Sequence, residues 1–317
     1  MLATMLSIVI YSIFQGLFQP HVKLMFERCP DLPNILAAPQ AITVGGDVYI
    51  SGVDNYRNYV IFRYSLIHSS WNQVPSPPVG GGGLAHLSTK LVSVGGYDRK
   101  NKRAVKSVYR FDRNSYSPLS SMSTARAFPK CVSYRSSIIA FGGLGDCDLP
   151  VQTIEVYSRK NDQWELAEGV LPWPVALNIT STTLVRDTCY FLGTTASKWR
   201  EKVSLKNFVP ADKILVVPLS SLPHFPTTTF SVLLDTPHCT SVATTLCGSL
   251  LSLGGGETHD EQRMIHLYSP LIDSWAHIGN SPVALWSLAS VAVEISDAEV
   301  LIVQTEHCKV YKCVVCE

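Results

Sequence analysis

The stretch Ile138-Ile139-Ala140-Phe141-Gly142-Gly143, followed by Tyr157 and Trp164, decides the fold of this 317-residue chain. An apolar run this short, ending in glycine, indicates a strand buried on both faces rather than a helix. Glycine at its end permits positive backbone dihedrals and the close approach of another backbone. A polar loop then leads to a strand with Tyr157. Lys160-Asn161-Asp162-Gln163 predicts the turn of a hairpin whose second strand carries Trp164.

The same features recur along the chain, which indicates a repeat architecture. Apolar runs end near glycine at 48–52, 91–96 and 250–255 as well, and proline-bearing segments such as 75–78 and 281–282 end the units. The repeat residues are Gly52, Gly95, Gly96, Gly142, Gly143, Gly254 and Gly255, with the aromatic pairs Tyr64/Trp71, Tyr109/Tyr116, Tyr157/Trp164 and Tyr268/Trp275. We assign these aromatic pairs to packing between neighbouring units, so their mutation is expected to damage folding first.

A period of about 45 to 50 residues, with four short strands and Gly and aromatic punctuation, is typical of a β-propeller blade. The chain resembles the kelch-repeat proteins. The double glycine after the second strand, the Tyr of the third strand and the aromatic residue of the fourth stand at that family's spacing around Gly96, Gly143 and Gly255, with Tyr116 in the place of the Trp in the unit of Gly96. Gly52 keeps one glycine of the pair. The resemblance covers about residues 22–317 and implies an all-β, six-bladed kelch-type β-propeller.

Two further units keep only part of the repeat pattern, and the number of blades depends on whether they are counted. Residues 189–194 lack the double glycine and precede a long insertion, with Phe230 in the place of the Trp. Residues 300–304 begin a last unit that the chain leaves without an outer strand. We therefore expect an N-terminal strand near Phe26 to close the ring. The predicted blades are approximately 39–79, 84–124, 130–172, 176–234, 238–282 and 286–317 plus 22–33, so that the propeller spans 21–317 and an apolar leader spans 1–20.

Composition narrows the function classes. The net charge of +1 argues against a nucleic-acid binder that works through phosphate contacts, and only 16% of the residues are charged. Nine cysteines are an odd number and are scattered, which is typical of reduced thiols. Cys313 and Cys316 lie on a predicted strand whose alternation points them to opposite faces, so we predict no metal site there.

Residues 1–18 carry no charge and are long enough for a signal peptide or a membrane anchor. They lack a basic beginning and an obvious small-x-small cleavage site, and a mis-assigned start would look the same. We expect a cytoplasmic protein. The alternative is a secreted or membrane-tethered binding protein, in which the sequon Asn178-Ile179-Thr180 would be available for glycosylation.

The sequence contains no catalytic motif that we recognise. Residues 80–83 are glycines without the Lys-Ser/Thr of a phosphate-binding loop, and no Gly-x-Ser-x-Gly or His-Glu-x-x-His is present. Kelch-type propellers include copper oxidases with a Tyr, His and Cys site, but no residues here can be assigned to such a site. We expect a protein that is not an enzyme and needs no cofactor or metal.

By the same resemblance, the chain is a recognition module that binds a partner protein or peptide across one face of the disc. The implied contacts lie in the loops after the glycines and in the loops between blades. The candidates are Arg99, Lys100, Lys102, Arg103, Asp146, Asp148, His259 and Asp260 from the first kind of loop, and Arg126, Trp173, His238 and Trp286 from the second. Arg126 stands where kelch-like adaptors often carry an Arg that reads acidic peptides. The alternatives are a solvated basic loop at 99–103 and a Trp173 that packs beneath its own loop.

The best-known role of similar proteins is to recruit substrates to a cullin ubiquitin ligase. Those adaptors carry BTB and BACK domains ahead of the propeller, which this sequence lacks. An adaptor or scaffold role is then expected only if the chain is a fragment of a longer protein, or if a partner supplies the missing domains. We expect no nucleic-acid partner, and membrane association only if the leader is a real anchor.

Overall fold

The computed structural model describes residues 23–112, 114–146, 149–171, 181–192, 213–220, 230–233, 240–269, 274–286 and 289–316. Within these ranges the chain forms six four-stranded antiparallel sheets and one two-stranded ribbon. A short 3-10 helix lies at Glu261–Arg263. Asp148, Trp173, His238, the leader and the sequon fall outside the described residues.

Each sheet is one blade, and its strands run outward from the centre of the disc. In chain order the strands are β1 (Lys23–Arg28), β2 (Ala37–Val44), β3 (Asp47–Val53), β4 (Tyr59–Ser65), β5 (Ser70–Val74), β6 (Gly83–Leu87), β7 (Lys90–Val94), β8 (Tyr97–Asp98), β9 (Arg103–Ala104), β10 (Val108–Asp112), β11 (Ser115–Leu119), β12 (Lys130–Tyr134), β13 (Ser137–Phe141), β14 (Thr153–Ser158), β15 (Gln163–Val170), β16 (Ser181–Val185), β17 (Thr188–Leu192), β18 (Lys213–Pro218), β19 (Phe230–Leu233), β20 (Val242–Leu246), β21 (Ser249–Leu253), β22 (Met264–Ser269), β23 (Ser274–Asn280), β24 (Ser290–Ser296), β25 (Glu299–Gln304) and β26 (Lys309–Cys316).

The six blades form a ring. Blades 1 to 6 begin with the inner strands β2, β6, β12, β16, β20 and β24, and each of these strands contacts the inner strand on either side of it. The described buried residues fall into six apolar clusters, one at each junction between neighbouring blades. In blade 6 the outer position is taken by β1, in which Phe26 stands opposite Cys313 of β26. The predicted all-β, six-bladed propeller is confirmed.

The inner strands meet without a backbone ladder between blades, so side chains supply the hydrogen bonds there. The Gln40 amide donates to the Gly82 carbonyl at 3.0 Å and accepts from the Leu84 N–H at 3.2 Å. The Oγ of Ser133 accepts from the His86 N–H at 2.7 Å, and that of Ser181 accepts from the Ala243 N–H at the same distance. Polar side chains on the inner strands thus join neighbouring blades around the channel.

The repeated glycines allow one blade to touch the segment that enters the next. Gly95 and Gly254 have φ of +69° and +64°, and a Cβ at either position would lie 2.3 Å from the carbonyl oxygen of Arg126 or Leu285. The glycine that follows each of them donates its N–H to the same carbonyl, at 2.8 Å for Gly96 and 2.9 Å for Gly255. A side chain would separate these backbones, which explains why glycine recurs here.

The repeated aromatic residues pack between blades. In blades 1, 3 and 5 the Tyr and Trp stand directly opposite each other, with ring centroids between 4.7 and 5.3 Å apart. The indole N–H of Trp71 donates to the Pro30 carbonyl at 2.9 Å, and that of Trp164 donates to the Ser120 carbonyl at 2.9 Å. Both carbonyls follow the outer strand of the preceding blade, so each of these two indoles holds two blades together.

Trp275 of blade 5 also packs between two blades. It stands opposite Tyr268, with ring centroids 5.1 Å apart, and its half-buried ring packs against the apolar cluster between blades 4 and 5. The carbonyl that would correspond to those bonded by Trp71 and Trp164 follows β19, in residues 234–239, which lie outside the described part of the chain. Trp275 therefore joins two blades by the packing of its ring, and the carbonyl bond is established for Trp71 and Trp164 alone.

Blade 2 corrects one predicted pair. Tyr116 stands opposite Phe111, with ring centroids 5.0 Å apart, whereas Tyr109 stands opposite Pro118. The hairpin here closes with the pair Asp112/Ser115, which leaves two residues in its turn, while blade 1 closes with Ser65/Ser70 and has four. The shorter turn reduces the aromatic spacing from seven residues to five.

This register predicts the effect of two matched substitutions. Phe111 packs against the apolar cluster between blades 1 and 2 and is the inter-blade aromatic residue of its strand. We expect Phe111→Ala to lower the free energy of unfolding by about 2 kcal/mol or more, and Tyr109→Ala to lower it by clearly less. Urea unfolding of both variants tests this. A larger loss of unfolding free energy for Tyr109→Ala would contradict the register and support the predicted pair Tyr109/Tyr116.

Candidate functional site: the upper face

Antiparallel topology puts two kinds of loop on the same face of the disc. The loop between the second and third strands of each blade, and the segment from the outer strand of one blade to the inner strand of the next, both end at what we call the upper face. The tight turns between the first and second strands, and between the third and fourth, form the lower face. All described candidate contact residues belong to segments of the upper face.

The most structured of these loops carries the basic residues. Strands β8 and β9 pair as a ribbon above blade 2, and Asp98 holds its turn by accepting the N–H groups of Lys100 and Asn101 at 3.0 and 3.1 Å. The side-chain amide of Asn101 also donates to Asp98 and is the main reason that the pKa of this carboxyl lies below its usual value. Arg99, Lys100, Lys102 and Arg103 are exposed on this ribbon.

The ribbon contacts a loop of blade 1, because the Arg99 guanidinium donates a hydrogen bond to the Arg57 carbonyl. Arg57 belongs to the exposed loop 54–58, whose turn is held by Asp54 accepting the Tyr56 and Asn58 N–H groups at 2.9 and 2.7 Å. Five exposed cationic side chains therefore come together at the junction of blades 1 and 2. We call this set the basic cluster: Arg57, Arg99, Lys100, Lys102 and Arg103.

A groove of about 440 Å³ opens beside the basic cluster. Its walls include Val53, Val79 and the rings of Tyr59, Tyr97 and Phe128, and Arg99 also lines it. Burial raises the pKa of Tyr59 to about 12, so its phenol stays protonated at neutral pH. We call this pocket the ribbon groove. Asn58 and Asp98 also line the groove, so its surface is partly apolar and partly polar, and Arg99 brings the basic cluster to its edge.

The ribbon groove is not predicted by any motif of the sequence, although two glycines of the run at 80–83 line it. A Cβ on Gly80 would lie 2.5 Å from the Cβ of Tyr59, and one on Gly81 would lie 2.6 Å from the Phe128 ring. These glycines make room for two aromatic side chains. As a motif, the run suggests only an incomplete phosphate-binding loop, which does not reveal this packing.

The other described candidates are spread around the upper face. Asp146, His259 and Asp260 are exposed, and Trp286 is half-buried. Asp260 precedes the short 3-10 helix, where Glu261 accepts the Glu257 and Thr258 N–H groups at 2.9 Å. Among the residues described in blades 2 and 3, no ion pair joins Asp146 to the basic cluster. The upper face thus has separate polar regions, and the basic cluster is the one that adjoins the ribbon groove.

Arg126 requires a correction, because it lies inside the protein and not on the binding surface. Its side chain is 0% exposed and donates from Nη1 to the Gly142 and Thr153 carbonyls at 2.9 and 2.8 Å. Nη2 donates to the Thr153 hydroxyl at 2.7 Å and to Glu155 at 3.0 Å, and Nε donates to Glu155 at 3.2 Å. Arg126 therefore has no accessible atom with which to contact a partner.

Glu155 completes this buried ion pair. Its carboxylate also accepts the N–H and the hydroxyl of Ser123 at 2.7 and 2.8 Å, and the Thr124 N–H at 3.1 Å. Burial by itself raises the pKa of Glu155, but the hydrogen bonds from Ser123 and the charge of Arg126 outweigh it, so the pKa lies below its usual value. The pair fastens the segment entering blade 3 to the third strand of that blade.

In the ranges that the structure describes, no group of three His, Cys, Asp or Glu side chains could hold a metal ion. Over the same ranges, no helix is long and apolar enough to cross a membrane.

Six blades, the inter-blade glycines and the Tyr/Trp pairs define the fold class: the chain is a six-bladed β-propeller of the kelch type. It is similar to Kelch-like protein 35 of Mus musculus, with 24% identity over 202 residues. That match covers 59% of this chain and 34% of the relative, so the chain spans about a third of the length of the curated protein that it matches. No protein-family model matches the chain.

Solved structures share the fold. The structure of YjhT covers 89% of this chain and 95% of its own at a TM-score of 0.66, with 13% identity. A fungal alcohol oxidase of the AA5 family, in complex with copper, covers 93% of this chain and 77% of its own at a TM-score of 0.58, also with 13% identity. At these identities the likeness concerns the fold alone.

Proposed function

We propose that this protein is a non-catalytic protein-interaction module that binds its partner through the upper face. The observation that carries the proposal is the ribbon groove with the basic cluster at its edge. The aromatic and aliphatic part of the groove can receive one anchoring side chain, while the exposed cations beside it attract an acidic partner and orient it. The similarity to a kelch-like protein supports the same function.

The fold suits this function because the variable loops rest on rigid blades. The Asp98 turn and the Asp54 turn hold the two loops that frame the ribbon groove, so little ordering of these loops is needed on binding. Exposed charges at the rim of an interface mainly set the rate of association and its dependence on salt. We expect binding through the basic cluster to weaken as the salt concentration rises.

Quantitative affinity capture with charge variants tests the proposal. We expect replacement of Arg99, Lys100, Lys102 and Arg103 by Gln to reduce the captured amount of a specific partner at least about tenfold, which corresponds to about 1.4 kcal/mol. The matched control replaces four exposed cations of the lower face, Arg135, Arg159, Lys160 and Arg186, by Gln. Equal capture by both variants would contradict a role for the basic cluster.

A finer proposal is that the partner is a substrate recruited to a cullin ubiquitin ligase. It is supported by the similarity to a kelch-like protein of which this chain spans about a third. We expect native protein, tagged at its C-terminus in cells, to co-purify with a cullin either directly or through a protein that supplies the linking domains. Reproducible capture of a partner without any cullin would overturn the ligase role and leave the interaction module intact.

We further propose a cytoplasmic location. N-terminal sequencing of the native protein and glycan analysis at Asn178 test it. An unglycosylated protein in the cytosolic fraction is the expected result. A processed N-terminus together with a glycan at Asn178 would instead identify a secreted or membrane-tethered binding protein.

A further inference from the structure

The upper end of the central channel contains a small polar cavity in which the described residues place a lysine without a carboxylate. Its volume is about 100 Å³, and residues from the upper half of all six inner strands line it. Among the described lining residues, Lys130 is the one charged side chain and no carboxylate is present. Gln40, Ser181, Thr182 and Ser290 supply polar groups. A protonated amine in such a cavity lacks a counter-charge.

The position of Lys130 fits this description. Lys130 is half-buried and is one of the residues that line the cavity. No hydrogen bond or ion pair joins its amine to any residue that the structure describes. Burial lowers the pKa of Lys130 to about 8, so most molecules carry the charge at pH 7. The neighbouring Cys131 has its pKa raised to about 12 by burial and stays a neutral thiol.

The junction between the inner strands β12 and β16, where Lys130 lies, differs from the other five junctions between inner strands. At the five others, a side chain of one inner strand forms a hydrogen bond with the neighbouring inner strand, through Gln40, Ser133, Ser181, Thr245 and Thr43. Between β12 and β16, blades 3 and 4 are joined at the lower end, where the Tyr134 hydroxyl donates to Asp187 at 2.8 Å. At the upper end the described residues form no such bond, and the Thr182 hydroxyl is buried without a partner.

We propose that the upper end of the channel binds a small oxyanion of phosphate size, held by the Lys130 amine and the polar groups beside it. Lysine is a compact point charge that suits a single oxyanion. The volume is sufficient for one such ion with a few water molecules. The ion is either free or the end group of a larger molecule that enters from the upper face. This site is independent of the proposed partner binding at the basic cluster.

Calorimetric titration of the full chain at constant ionic strength tests the site, with inorganic phosphate and O-phosphoserine as probes. We expect phosphate to bind the wild-type protein, to bind Lys130→Met at least tenfold more weakly, and to bind the control Lys106→Met normally, because Lys106 is exposed on the upper face away from the channel. Equal binding of O-phosphoserine would identify an end group, and binding of phosphate alone would identify a free ion. Absence of phosphate binding, or equal affinity in Lys130→Met, would overturn the proposal.

A second measurement covers the case in which Lys130→Met does not fold. Among the described groups facing the amine, Cys131 is the one that titrates, and it remains neutral until about pH 12. Phosphate stays a dianion between about pH 8 and 10, so its own charge is constant there. Because Lys130 loses its proton over this interval, wild-type affinity is expected to fall at least tenfold by about pH 10. Affinity that does not change would exclude Lys130 as the binding group.

Discussion

Arg126→Ala is expected to lower the free energy of unfolding by about 3–5 kcal/mol. The substitution removes the cationic partner of Glu155, which is itself 0% exposed. The carboxylate would then keep its bonds to Ser123 and Thr124 but would lie buried without a counter-charge. The Gly142 carbonyl would also lose the Arg126 donor, and the Thr153 carbonyl would keep only its bond from the Gly142 N–H at 3.3 Å. Breaking a buried pair on one side is costly because the remaining charge cannot regain its hydration.

Urea unfolding measures this loss, and Arg63→Ala is the matched control. Arg63 pairs with Asp47 at 2.8 Å, but its side chain is 44% exposed, so its loss is expected to cost about 1 kcal/mol or less. The contrast depends on burial, since both residues are arginines paired with a carboxylate. If the two variants lost equal stability, the structural role assigned to Arg126 would be wrong, and a surface role would have to be reconsidered.

Gly254→Ala is expected to lower the free energy of unfolding by about 3 kcal/mol or more. A Cβ at this position would lie 2.3 Å from the Leu285 carbonyl oxygen and 2.6 Å from that of Gln262. Both are backbone atoms, so they cannot move aside as the end of a flexible side chain can. The Gly255 bond to Leu285 would weaken as the two blades separate.

Gly248→Ala separates this contact from backbone strain. Gly248 has a φ of +69°, close to the +64° of Gly254, but nothing lies within 4 Å of a Cβ added there. It is therefore expected to cost only about 1–2 kcal/mol, the penalty of a left-handed conformation. Thermal unfolding of the two variants gives the difference. If both variants lost equal stability, glycine would be required at position 254 only for its positive φ, and not for the close contact between the blades.

The fold could be predicted from the sequence because its determinants are local and repeated. Tyr157 and Trp164 stand seven residues apart after a double glycine, the same Tyr–Trp spacing recurs in blades 1 and 5, and the same contacts recur in the structure. The error at Tyr109 arose where this spacing changed, since a shorter turn brings Phe111 opposite Tyr116. Spacing alone does not report the length of a turn.

The candidate site could be predicted only in part. The exposed Arg99 and Lys100 follow from a basic run in a loop after the glycines. Arg126 shows the limit of this reasoning, because its burial depends on Glu155, a residue 29 positions later that gives no sign of the contact in the sequence. The ribbon groove also depends on contacts between distant segments, since Tyr59 and Phe128 meet only across the glycines of the intervening loop.

Site-specific photo-crosslinking tests the central claim, that the upper face is the binding surface. A photoreactive phenylalanine analogue replaces either Tyr56, which is 84% exposed beside the ribbon groove, or Ile67, which is 87% exposed in a turn of the lower face. The two positions lie in the same blade and differ mainly in the face that they occupy. Crosslinks to a specific partner from position 56 and not from position 67 are the predicted result. Crosslinks from position 67 alone, or equally from both positions, would contradict the account.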